Sequence, residues 1–337
     1  MKKLICVLLS VLMLLSVSLL VSCDKAEPTL KLGLGVYTAT PSVTDATTDD
    51  DGNPVNGQGK VAITAAVITV DADGKVVACQ LDTNENTVKY TGEGKAIASD
   101  GFKTKYEQGT DYNMVAWGGA AKEWFEQADA FETVVVGKTL SEIKALVAAD
   151  NKGNSDVVTA GCTIMIHEFV GAIEKAFANL ADSTATASST LKLGMHTEQT
   201  VKDASTNDEG QVVNGSNKVE TTIFAAAVDA EGKVLVAASD CVQVDFTFNE
   251  VGASTFDTTK AVVSKREAGA NYNMVAWGGA AKEWFEQADA FNALCVGKTA
   301  TEIKALCAAD NYGTDEVKNA GCTILVNGFV KAAAKIG

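Results

Sequence analysis

Twenty consecutive residues, Tyr112 to Phe131, recur unchanged as Tyr272 to Phe291. Identity on this scale constrains the chain more than any other feature, because it makes a repeated domain the unit of folding. At the same offset, Val136 to Thr139 matches Val296 to Thr299, Glu142 to Leu146 matches Glu302 to Leu306, and Ala160 to Thr163 matches Ala320 to Thr323. Upstream the copies drift, with Leu30 to Gly33 answering Leu191 to Gly194 and Asp71 to Gly74 answering Asp229 to Gly232. The reading is two copies, residues 29–181 and 190–337, joined at 182–189 by a Ser/Thr/Ala-rich stretch with the composition of a flexible linker.

Within a copy the hydrophobic period changes from strand to helix. Val61 to Val70 is rich in β-branched residues, Asp71 to Gly74 supplies turn chemistry, and Lys75 to Leu81 resumes an apolar run, which predicts a hairpin. Trp124, Ala128, Phe131 and Val135 then fall at helical spacing before Gly137. Thr139 with Glu142, and Thr299 with Glu302, are capping boxes that open further helices. A last helix is expected from near Thr163, with Phe169, Val170, Ile173 and Phe177 on one face. Strands first and helices after predict the α+β class: two tandem copies of a small antiparallel-sheet domain with packed helices.

The first residues read as a processing signal. Lys2 and Lys3 precede an apolar run that ends in Leu20-Val21-Ser22-Cys23, which resembles the lipobox of bacterial lipoproteins. Residues 1–22 are thus expected to be a signal peptide and Cys23 the lipidated first residue of the mature chain. A membrane span is the alternative, since the run approaches the roughly 20 residues that cross a bilayer. Either way the remainder is tethered at a membrane, on its extracytoplasmic side. The formal charge of −15 becomes −17 once Lys2 and Lys3 are removed. Nucleic acid is therefore a poor partner, as are anionic headgroups for the folded part.

Several chemistries lack their signatures. The cysteines beyond Cys23 are Cys79, Cys162, Cys241, Cys295, Cys307 and Cys322, and none forms a Cys-x-x-Cys pair. The histidines, His167 and His196, have no second ligand at metal spacing, so no metal site is expected. Gly137-Lys138-Thr139 looks like the end of a phosphate-binding loop, but its opening glycine position holds Glu132, and Asn292 in the other copy. No nucleophile elbow occurs, and no catalytic residue is assigned.

What stands out is Ala-Gly-Cys-Thr, repeated at the expected start of the last helix, where free backbone N–H groups and a positive dipole end would suit an anion. On this motif, the duplication, the Asp-x-Asp-Gly-Lys hairpin and the Lys-Glu-Trp-Phe-Glu-Gln helix, the chain resembles the FMN-binding domain family. That family includes the C subunit of sodium-translocating NADH:quinone reductase, a subunit of the Rnf complex, and tandem-domain flavinylated lipoproteins of extracellular electron transfer. The resemblance implies FMN joined by a phosphoester to Thr163 and Thr323. Gly161 and Gly321 match the motif glycine, Cys162 and Cys322 stand where alanine is usual, and Ala160 and Ala320 replace its Ser/Thr. Trp117 and Trp277 are expected to contact the isoalloxazine, whereas Lys105 and Lys265 read as solvated surface lysines.

The resemblance further implies maturation by a flavin transferase and a role as an electron carrier more than an enzyme with its own substrate. Electrons would pass from a membrane quinol- or NADH-oxidising donor to a soluble or mineral acceptor outside. The alternative is a duplicated surface lipoprotein that binds a ligand without a redox cofactor. It explains the signal and the duplication but not the recurrence of Ala-Gly-Cys-Thr.

Overall fold

The computed structural model describes residues 27–337, so the expected signal peptide and the expected lipidation site, Cys23, lie outside the described residues. The first half runs β1 (Lys31–Thr38), β2 (Ser42–Thr44), β3 (Thr47–Thr48), β4 (Pro54–Val55), β5 (Gly57–Val70), β6 (Val76–Tyr90) and β7 (Ala96–Ile97). Its helices follow: α1 (Lys105–Gln108), α2 (Trp124–Val135), α3 (Leu140–Lys144), α4 (Ser155–Ala160) and α5 (His167–Ala178). After β8 (Ala181–Asp182) come β9 (Thr190–Lys202), β10 (Ser205–Thr206), β11 (Val212–Val213), β12 (Gly215–Val228) and β13 (Val234–Phe248). The second set of helices is α6 (Lys265–Ala268), α7 (Trp284–Cys295), α8 (Ala300–Lys304), α9 (Asp315–Ala320) and α10 (Asn327–Ala333). The chain is therefore mixed α and β, with antiparallel sheets and strands preceding helices in each half. Among the described residues no helix is long and apolar enough to cross a membrane.

Each half is organised by one long hairpin. Asp71 turns the first, its carboxylate accepting from the N–H groups of Asp73 and Lys75 at 2.9 Å each, while Gly74 takes the left-handed conformation. β6 then pairs with β5 along its full length to Tyr90, well past the apolar run that ends at Leu81. Sheet order is β7-β6-β5-β1-β8 in the first half and β13-β12-β9 in the second.

Alternation along β5 sends Ala66, Ile68 and Val70 to one face and Val61, Ile63, Ala65 and Val67 to the other. The first face packs under α2, α4 and α5, with Trp124, Phe131, Phe169 and Ile173 in the same core. The other face packs on the second half's sheet, against Ile223, Ala225, Ala227, Val242 and Phe246. Four layers result: helices, sheet, sheet, helices. Burial of both faces explains why the strands read as near-continuous apolar runs.

The junction between sheets is closely two-fold. Tyr90 stacks on its counterpart Phe248 with centroids 4.4 Å apart. Lys175 binds Glu267 and Lys335 binds Glu107, both at 2.6 Å. Ala46 N–H donates to Gly252 O and Ala204 N–H to Gly94 O. Such reciprocity is the mark of an isologous interface, here between two parts of one chain. The expectation of a flexible linker needs correction: Ala181 and Asp182 pair with β1, Leu30 N–H donates to Ala185 O at 2.8 Å, and Ala185 is fully buried.

Candidate functional site

α2 opens with a capping box in which Glu123 is the cap, and the same carboxylate accepts from the N–H groups of Met114 and Val115. This carboxylate ties the preceding loop to the helix. From that start the helix aims Gln127 inward among Trp124, Ala128 and Phe131, where it is almost wholly buried. Gln127 Oε1 accepts from both the backbone N–H and the hydroxyl of Thr163, at 2.9 Å each. Its Nε2 donates to Lys122 O. In the second half Gln287 holds Thr323 the same way, at 2.8 and 3.0 Å. Both threonines remain exposed.

The motif does not open the last helix, as its sequence suggested. α5 begins at His167, four residues beyond Thr163, and Ala160 is the last residue of α4. Gly161 caps α4 in the left-handed conformation, φ 108°, and Cys162 N–H closes back on Val157 O, the wrapped helix end that glycine favours. Gly321 does the same for α9 at φ 100°. Ala-Gly-Cys is therefore a helix stop that delivers the threonine to the surface, and helix-dipole binding of an anion at Thr163 has no helix start to act through. Cys162 and Cys322 point into the helix-side cores, where burial raises both thiols to about 11 despite Lys122 and Lys282 nearby. They pack, and do not face a ligand.

Lysine supplies the positive charge instead. A Cβ on Gly161 would collide with the Lys122 ammonium, and one on Gly321 with that of Lys282, so each glycine lets a cation lie against the motif. Deeper in, Lys105 and Lys265 are the reverse of solvated, with side chains 13% and 8% exposed. Lys105 lies over the rings of Tyr112 and Trp124 at 4.8 and 5.7 Å, and Lys265 over Tyr272 and Trp284 at 5.1 and 5.7 Å. Lys265 bonds Glu220 at 2.8 Å; burial opposes its charge, yet Cys241 and Glu220 raise its pKa above the usual lysine value. Lys105 meets Glu85, at 3.4 Å. Glu220 sits on β12 opposite Gln243, and Glu85 on β6 opposite Ala62. The two copies thus place the carboxylate on opposite strands of the same pair and keep the lysine partnered.

In the second half these groups line a cleft of about 440 Å³, with Thr323 and Gln287 at one side, Lys265 and Glu220 on the floor, and Tyr272 and Tyr312 in the walls. That volume lies within the roughly 300–1,000 Å³ typical of ligand sites. Trp117 and Trp277 are not brought to it: both are 89% exposed on the loop before the helix. Gln127 and Lys122 are not among the expected site residues; they sit in the identical run, beside Trp124 and Phe131, whose spacing marks helix packing. The available signal was a glutamine three residues after Trp124 on an apolar helix face. Among the described residues no three His, Cys, Asp or Glu side chains gather to hold a metal. No known protein family, curated protein or solved structure matches this chain.

Proposed function

We propose that the chain is a membrane-anchored extracytoplasmic electron carrier, each half an FMN-binding domain carrying FMN as a phosphoester, on Thr163 in the first and Thr323 in the second. One observation carries this reading: an unusual set of groups occurs twice. In each half an exposed threonine is held through its hydroxyl by a buried glutamine, near an ammonium lying on a glycine and a partnered lysine over aromatic rings.

The residues fit such a group in their chemistry. Lys122 and Lys282, whose ammonium groups lie against the glycine two residues before each threonine, would supply counter-charge to a phosphate on the motif. The cleft beside Thr323 is lined by the aromatic residues Tyr272, Trp284 and Tyr312 and by the cation Lys265, a lining suited to a flat anionic ring system. Gln127 and Gln287 accept from the threonine backbone N–H before and after modification, and the hydroxyl proton they also accept is the one that attachment removes. Attachment forms one O–P bond at the threonine and releases that proton together with the leaving group of the flavin donor used by the transferase. The flavin, once bound, supplies the electron chemistry. Covalent attachment suits a site outside the cytoplasm, where a dissociated cofactor is lost. Lipid at Cys23 would hold the molecule beside a quinol- or NADH-oxidising donor, with a soluble or mineral acceptor on the far side.

The test is the intact mass of the soluble mature form, expressed with and without a flavin transferase. Two FMN additions are expected, one lost in Thr163→Ala and the other in Thr323→Ala. No addition, from a transferase that modifies a control substrate, would leave a ligand-binding lipoprotein as the better account.

A further inference from the structure

We propose that the two threonine sites are electrostatically unequal, and that a flavin on Thr163 is held at a higher midpoint potential than one on Thr323, with Lys152 and Tyr312 setting much of the difference. This inference rests on the flavin reading above. Around the threonines most residues are common to both copies: Gln127 and Gln287, Lys122 and Lys282, Lys105 and Lys265, Tyr112 and Tyr272, Trp124 and Trp284. Differences between the sites come from the positions that changed; Asn271 and Lys318 also replace Asp111 and Val158, and exchange of Lys152 and Tyr312 isolates the pair argued here.

The first is the wall. Tyr312 lines the second cleft, and its backbone bridges to Leu325, two residues past Thr323. Lys152 makes the same backbone bridge to Met165, two residues past Thr163. The first site therefore has a cation where the second has an aromatic ring. Lys152 has no carboxylate within ion-pair distance among the described residues. Asp150 and Asp310 accept from the N–H groups of Lys152 and Tyr312 at 3.2 and 3.1 Å, so their charges are common to both sites.

The second difference is the floor. Glu220 bonds Lys265 at 2.8 Å, whereas Glu85 is shared between Lys60 and Lys105, and Lys105 stands 3.4 Å away. The ammonium under the first site is less closely neutralised. Both differences act in one direction, because reduction adds negative charge to a flavin and a nearby cation favours the reduced form.

The experiment uses the full mature chain carrying one flavin at a time, with Thr323→Ala leaving the Thr163 site and Thr163→Ala the Thr323 site, each verified by mass. Redox titration is expected to give the higher potential for the flavin on Thr163. In the single-site proteins, Lys152→Tyr should lower that potential and Tyr312→Lys should raise the other. Residues 152 and 312 are both exposed, so these exchanges leave the cores intact. The gap between sites should also narrow as salt rises from 0.01 M, where the screening length is about 30 Å, to 1 M, where it is about 3 Å. Flavin fluorescence gives a second readout, since the ring of Tyr312 should quench the flavin on Thr323 and Tyr312→Lys should relieve it. Equal potentials, or potentials indifferent to both exchanges, overturn this inference alone. Absence of any mass addition overturns the flavin reading and this inference with it.

Discussion

Gly161 and Gly321 hold left-handed backbone with a lysine ammonium lying where a side chain would begin. Alanine there meets two penalties at once. The backbone strain is about 1–2 kcal/mol for an L-residue in that conformation, and the Lys122 or Lys282 amine must leave the motif. Gly161→Ala is accordingly expected to lower stability by about that amount in urea denaturation and to reduce FMN loading at Thr163 while sparing Thr323. A loaded Gly161→Ala protein at full yield would show that the lysine position does not matter. Trp117 makes the opposite case. At 89% exposure, its replacement by alanine should change stability by no more than about 0.5 kcal/mol, although Trp117 stands in the identical run beside Trp124. Removing the buried Trp124 should cost about 3–5 kcal/mol. Sequence identity marked all these residues alike, and only burial separates them.

At the level of elements, one of the positions at which α2 and α7 differ, the half-buried Glu132, makes the first copy sensitive to pH. Burial pushes the Glu132 carboxyl up to about 8, although Leu81 N–H donates to it at 2.6 Å. The second copy has Asn292 there, accepting from Ser239. With a folded pKa near 8 and an ordinary one near 4.5, the folded state binds the extra proton between those values. This contribution is fully present below pH 4.5 and is lost as pH rises to about 8. Glu132→Gln keeps the oxygen that accepts from Leu81 and removes the titration, so it should flatten the decline across that window and stabilise the protein at pH 8. Denaturation midpoints at pH 5 and pH 8 measure this, and an unchanged slope would exclude Glu132 as the source. The same scale shows what sequence patterning can and cannot reach. The hairpins, the capping boxes and α2 follow their residue periods. β6 outruns its apolar run because Thr83, Asn84 and Asn86 are polar yet buried, and Asn84 and Asn86 bond Thr197 and Thr221 of the other half. No local period reveals a partner more than a hundred residues away. The start of α5 is displaced for a related reason: Ala-Gly-Cys stops one helix before another begins, and small residues look alike at either end.

For the whole molecule, the decisive feature is the shared core between the sheets. Two domains on a loose tether would unfold separately and sweep their sites through space. Here Leu32, Ile63 and Val67 of one half are buried with Ile223, Val242 and Phe246 of the other, and two ion pairs cross between the halves. Each threonine is held by a glutamine of the helix packed on the outer face of its own sheet, so both sheets, packed about 10 Å apart, stand between the two threonines. The two threonines are thus presented on opposite sides of a single body. Phe246 tests this coupling. Its ring lies over Gly59 of the other sheet, where a Cβ would strike it, and it is fully buried. Phe246→Ala should cost about 3–5 kcal/mol. Although the residue belongs to the second half, amide exchange should rise in β5 and β6 of the first half as much as in β12 and β13, because both strand pairs lose the same packing. Protection lost only in the second half would mean that the two copies fold independently and touch without mutual support.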